Sequence, residues 1–157
     1  MTFPFFLALT FQSATLPPAI PLPPPSSDES AVLAPVERMF AGLKARNSAA
    51  ILAELRPDGR AVAVVEDGAQ ATVKSLALAD FAASIKPGTE QLEEKFLGRP
   101  AIEVDGNIAT VLAPYIFTVN GELSHCGTNH IGLVRENGAW KIASIQWTQR
   151  KTNCPPD

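Results

Sequence analysis

Asp67, Ser124, His125, Cys126, His130 and Cys154 are side chains whose types and spacing invite a chemical reading. His130 is a candidate acid, base or neutral donor, because a histidine with a reference pKa near 6.5 can serve in each role at neutral pH. It reads equally well as a hydrogen-bonded interior histidine. Asp67 is the matching candidate base. It also precedes Gly68, and Asp-Gly is preferred turn chemistry whether or not there is catalysis.

The spacing excludes several other chemistries. His125 and Cys126 are neighbours on a predicted strand and point to opposite faces. Cys126 and His130 share a face but sit about 13 Å apart at ~3.3 Å per residue, too far for ligands within about 2.3 Å of one zinc ion. Ser124 has no His and Asp at nucleophile-elbow spacing, and there is no Gly-rich phosphate loop. No cation is placed to lower the Cys126 pKa and make it a nucleophile. Neither a metal nor another cofactor is expected.

The elements that must position these residues are marked by turns. Asp105-Gly106, Asn120-Gly121 and Asn137-Gly138 are each flanked by β-branched and aromatic residues, the strongest short-range hairpin signal. Strands are predicted over about Leu92 to Val104 (interrupted near Gly98-Arg99-Pro100), Ile108 to Val119, Glu122 to Glu136 and Ala139 to Gln149. Strands this long twist, so the sheet must curl. Ahead of it, Val32, Leu33, Val36, Met39, Phe40 and Leu43 fall at helical spacing, with the start expected near Pro35. Asn47 or Ser48 caps a second helix carrying Ile51, Leu52 and Leu55. A hairpin over Ala61 to Lys74 follows, then a third helix with Leu78, Phe81, Ala82 and Ile85. The fold class is α+β: three N-terminal helical segments packed in a strongly curved antiparallel sheet, a cone-shaped partial barrel.

If both Asn-Gly turns are two-residue loops, Val119 faces Glu122 and Glu136 faces Ala139. One face then carries Val111, Ala113, Tyr115 and Phe117 beside Cys126, Thr128 and His130, with Ile145, Trp147 and Gln149 from the last strand. The opposite face carries Ile108, Leu112, Ile116, Ile131, Leu133, Trp140 and Ile142, with Asn129, Ser144 and Gln146 among them. A bulge at Gly138 would shift the last strand by one residue, and Pro114 marks another candidate bulge. Both faces are substantially apolar. One can line a pocket over the helices, and the other, through Ile131, Leu133 and Ile142, is expected to be covered in a homodimer.

Composition limits the partners. At 157 residues with a net charge of −3, the chain is one domain plus appendages and lacks the clustered Lys and Arg that a phosphate backbone requires. Nucleic acid and anionic membranes are not expected partners. Phe3 to Phe11 is apolar and too short to span a bilayer, so residues 1–14 read as a secretory signal and no membrane anchor is expected. Residues 15–29 have the composition of an extended Pro-rich linker, residues 30–150 form the domain and 151–157 a flexible tail. The expected location is periplasmic or secreted. Cys126 and Cys154 could pair there if the tail folds back, and the sequence leaves this open.

Two hairpins ending in NGAWKIASIQW, behind two or three helices, resemble the nuclear transport factor 2-like superfamily over about Ala31 to Arg150. The nearest likeness is to its small secreted lumazine-binding and ketosteroid-isomerase-like members. The resemblance implies that Val65-Glu66-Asp67 matches the isomerases' strand-end base. Counting from the Gly121 turn places His130 at their oxyanion-hole acid, and Trp147 matches an aromatic wall residue. Their catalytic Tyr falls on Phe40, which has no hydroxyl to donate.

The expected function is therefore an exported small-molecule-binding protein. Its pocket residues would be Phe40, Tyr115, Phe117, Thr128, His130 and Trp147, and its ligand small and neutral or aromatic. The alternative is a small isomerase, dehydratase or hydrolase using Asp67 and His130 as acid and base.

Overall fold

The computed structural model of the protein describes residues 26–155. The apolar Phe3 to Phe11 run and the prolines of the linker lie outside the described residues. Among the described residues, no helix is long and apolar enough to cross a membrane. The helices are α1 (Ser27–Lys44), α2 (Ser48–Glu54) and α3 (Leu78–Ser84). The strands are β1 (Leu55–Asp67), β2 (Gln70–Ala77), β3 (Leu92–Phe96), β4 (Ala101–Asp105), β5 (Ile108–Val119), β6 (Glu122–Glu136) and β7 (Ala139–Gln149).

Helix α1 begins earlier than Pro35 implies. Ser26 caps it, and Glu29 reaches back to the Ser26 backbone, closing a capping box that satisfies two donors at once. Residues 26–29, expected as linker, form this cap and first turn. Pro35 therefore sits inside the helix, buried in the stripe that also holds Val32, Val36, Met39 and Leu43. Packing of that stripe outweighs the missing N–H. Gly42 lets α2 approach closely, since a Cβ there would meet Ile51 Cγ1 at 2.9 Å. The Asn47 side chain caps α2 by accepting from the Ala50 N–H at 3.0 Å.

The seven strands form one curved, unclosed sheet in the order β2-β1-β7-β6-β5, with β3 and β4 lying end to end along the far side of β5. All pairs are antiparallel except β1 with β7. Asn120, Gly121, Asn137 and Gly138 all have positive φ, as a two-residue hairpin loop with both central residues left-handed requires. Pro114 makes no bulge. Its carbonyl accepts from the Leu97 N–H at 2.8 Å in the gap between β3 and β4, where no strand needs the N–H that proline lacks.

Two bulges lie elsewhere and decide the faces. Thr118 pairs with Leu123 but Phe117 pairs with His125, so Ser124 is an extra residue in β6. Leu133 pairs with Ile142 but Gly132 pairs with Ser144, so Ala143 is an extra residue in β7. The second slip sits where β1 is itself irregular, between Leu55 and Arg60, and a Cβ on Gly59 would lie 2.2 Å from the Ala143 carbonyl oxygen. A bulge moves every following side chain to the other face. The two slips cancel between β5 and β7, leaving β6 reversed between them.

This corrects the second face. Ile131, Leu133, Trp140 and Ile142 are buried in the core with α1, α2 and α3, not on an outer surface. The outer surface keeps Ile108 and Leu112 of β5, as expected, and carries Val73 of β2; they are 59%, 46% and 66% exposed.

The C-terminal segment folds back over β6. Arg150 and Cys126 exchange backbone hydrogen bonds at 2.9 Å each way, and Cys126 and Cys154 are joined by a disulfide with Cα atoms 5.7 Å apart. The expected flexible tail is tied down as far as Cys154.

Candidate functional site

The inner face of the sheet and helices α1 and α3 line a partly open cavity of about 180 Å³. Tyr115 and Phe117 of β5 and Trp147 of β7 form its aromatic walls, as the pairing of the hairpins predicts. Phe81 of α3 packs on Trp147 with ring centroids 6.0 Å apart, and Met39, Leu43 and Ile85 close the helical side. The Tyr115 hydroxyl donates to the Thr148 carbonyl at 3.0 Å, which fixes the ring across β6. Burial raises the Tyr115 pKa, so its phenol stays neutral.

The polar groups of the cavity come from the reversed stretch of β6, from β3 and, through Gln149, from the end of β7. His125 lies half-buried on the inner face, stacked on Phe117 with centroids 4.7 Å apart and an interplanar angle of 13°. Burial is the main influence depressing its pKa, with Lys151 adding to it, so the ring is held toward its neutral form. Asn129 is 3% exposed and donates from Nδ2 to Glu94 Oε1 at 2.6 Å. Glu94 keeps some accessible surface because it faces the cavity, yet protein surrounds its carboxyl. Desolvation pushes its pKa up to about 7, against the lowering effect of the Asn129 hydrogen bond.

The remaining predicted residues stand apart from this cavity. His130 and Thr128 project from the outer face; His130 is exposed, with Nε2 2.9 Å from Thr110 Oγ1. The bulge at Ser124 is the reason, since it exchanges His130 and Thr128 for Asn129 and His125 on the inner face. Phe40 packs edge-on against Phe96 at 5.1 Å and is not among the cavity walls. Asp67 is exposed at the β1–β2 turn, in a surface groove with Glu66, Gly68 and the Gln149 to Thr152 segment. His130 is level with Val62 through Gln146, and Asp67 lies five residues further along β1, about 16 Å at ~3.3 Å per residue. Asp67 and His130 therefore do not meet over one substrate.

Sequence reasoning missed Glu94, His125 and Asn129 as pocket residues. For Glu94 a signal was present: Leu92 and Phe96 alternate around it, so all three share the inner face of β3. For His125 and Asn129 no local pattern marks the bulge. Among the described residues, no cluster of three or more His, Cys, Asp or Glu is arranged to hold a metal ion.

No protein-family model matches the chain, and no curated protein does. Solved structures do. A nuclear transport factor 2-like superfamily protein from Salmonella enterica serovar Typhimurium superposes with a TM-score of 0.61 at 14% identity, over 80% of this chain and 92% of that one. A nuclear transport factor 2-like protein from Cytophaga hutchinsonii gives 0.62 at 10% identity, over 80% of this chain and 100% of that one. One from Novosphingobium aromaticivorans, described as having a cystatin-like fold, gives 0.61 at 17% identity over 80% and 84%. At these identities the likeness establishes the architecture alone.

Proposed function

The chain has the nuclear transport factor 2-like fold, and from that frame we propose that it binds a small, ring-sized organic molecule in the cavity walled by Tyr115, Phe117 and Trp147. The observation that carries this reading is a mostly apolar cavity with a few polar groups, the hydrogen-bonded pair Glu94 and Asn129 together with His125 and Gln149. Such a composition is typical of small-molecule sites, where apolar walls supply affinity and a few polar groups fix orientation. The size is informative too, because a dry cavity of about 150 Å³ is enough to hold benzene. Among the described residues no Lys or Arg lines the cavity, so an acidic ligand would find no counter-ion among them.

The disulfide supports residence outside the cytoplasm, since such bonds persist in oxidising compartments. Export through the N-terminal apolar run and a periplasmic or secreted location fit that chemistry. A homodimer joined through the outer face, with Ile108 and Leu112 in the contact, would cover the exposed apolar side chains of β5.

One observation favours a catalytic alternative. Burial raises the Glu94 pKa and lowers that of His125, and both line the same cavity. Such a pairing can keep a protonated carboxyl available as acid near neutral pH beside a neutral imidazole available as base. Turnover of a bound compound, lost in both Glu94→Gln and His125→Ala, would establish this alternative.

The binding reading is tested on protein purified from its host and compared under non-denaturing and denaturing mass spectrometry. A released small molecule would support it and name its class. No released molecule, together with no calorimetric response to one- and two-ring compounds, would refute it.

A further inference from the structure

Among the described residues, Glu94 is the only carboxyl lining the cavity, and no Lys or Arg lines it in answer. Asn129 serves one carboxyl oxygen at 2.6 Å. A carboxylate held against apolar walls without a counter-ion is poorly compensated unless something in the cavity pairs with it. The walls around it are aromatic, and ring faces attract cations as well as apolar groups.

We propose that the site selects a small cationic amine, with the ammonium group against Glu94 and the apolar body on Tyr115, Phe117 and Trp147. This rests on the small-molecule-binding reading above and narrows it to one charge class. An ammonium supplies both the missing charge and donors for the second carboxyl oxygen. A neutral alcohol supplies one donor and no charge, and a carboxylate ligand would set two like charges together in a poorly solvated space.

The surroundings of Glu94 leave that cation without a competitor. Among the described residues, the other titratable groups facing the cavity from the sheet are Tyr115 and His125; α1 gives Met39 and Leu43, and α3 with its C-cap gives Phe81 and Ile85, none charged. The Tyr115 hydroxyl is committed to the Thr148 carbonyl, and His125 is stacked on Phe117. Burial holds the Glu94 pKa at about 7, so an arriving ammonium would draw it down and binding would release protons near neutral pH. The cavity, about 180 Å³, accommodates a single ring carrying a short arm.

Calorimetric titration of the full chain with benzylamine, benzyl alcohol and benzoate at about pH 7.5 tests the inference. Benzylamine is expected to bind at least about tenfold more tightly than benzyl alcohol, with benzoate weakest. In Glu94→Gln, whose intact fold is checked by a thermal melt, benzylamine should lose that advantage. Equal or tighter binding of benzyl alcohol or benzoate, or an amine preference that survives in Glu94→Gln, would overturn the proposal while leaving the binding reading in place. Silence from all three probes would overturn the proposal, and the binding reading falls with it only when protein purified from its host also releases no molecule.

Discussion

Replacing Glu94 by Gln should make the protein more stable at alkaline pH and leave it nearly unchanged in acid. Glu94 ionises at about 7 in the folded protein against 4.5 for the unperturbed group. Its folded-state pKa is raised, so the unfolded chain ionises first as pH climbs. The stabilising contribution is complete below 4.5, is lost between 4.5 and about 7, and changes no further above that range. A shift of that size corresponds to about 3 kcal/mol as an upper figure. Gln keeps the shape and can still present a carbonyl oxygen to Asn129 Nδ2, but carries no charge to desolvate. Urea unfolding followed by tryptophan fluorescence should therefore show a variant about 2–3 kcal/mol more stable than the parent at about pH 8, with the difference closing near pH 4. A difference that does not vary with pH, or a parent more stable at about pH 8, would refute the burial of this carboxyl.

Other perturbations follow from the geometry. Gly127→Ala should destabilise by several kcal/mol (on the order of 3 or more) in the same urea assay, because its Cβ would lie 1.8 Å from the Thr148 carbonyl oxygen. Cys154→Ser should cost roughly 3–4 kcal/mol by the chain-entropy relation for residues 28 apart, and a reductant should lower the melting temperature of the parent but not of the variant. Ile131→Asp should unfold the subunit, since Ile131 is fully buried, whereas Leu112→Asp on the outer face should lower the sedimentation coefficient of a dimer without changing the subunit's circular dichroism. A Leu112→Asp protein that still sediments with the parent would remove β5's outer face from the assembly.

Most of the frame was readable in the residues, because turns and caps are local chemistry. Asn120-Gly121 and Asn137-Gly138 fix two hairpins by their left-handed backbone, and the ends of β5, β6 and β7 follow from them. Asn47 marks the start of α2 in the same way. The start of α1 was misplaced because Pro35 reads as a first-turn residue, while the capping pair Ser26 and Glu29 lies among linker-like sequence. The face of β6 was not readable at all. Ser124 and Ala143 carry no turn signature; the Ala143 slip accompanies the approach of Gly59 from a strand more than eighty residues earlier in the chain. Because the two slips cancel, Tyr115, Phe117 and Trp147 were placed together correctly, while His130 and Thr128 were exchanged for His125 and Asn129.

The most direct test of the account is to map where a bound ring lands. In an amide and indole shift map of the protein titrated with benzylamine, the account predicts changes at the Trp147 indole and at Tyr115, Phe117, His125 and Asn129, with His130, Thr110 and Val64 on the outer face unmoved. Shifts centred on His130, Thr110 and Val64 with the Trp147 indole undisturbed would contradict it.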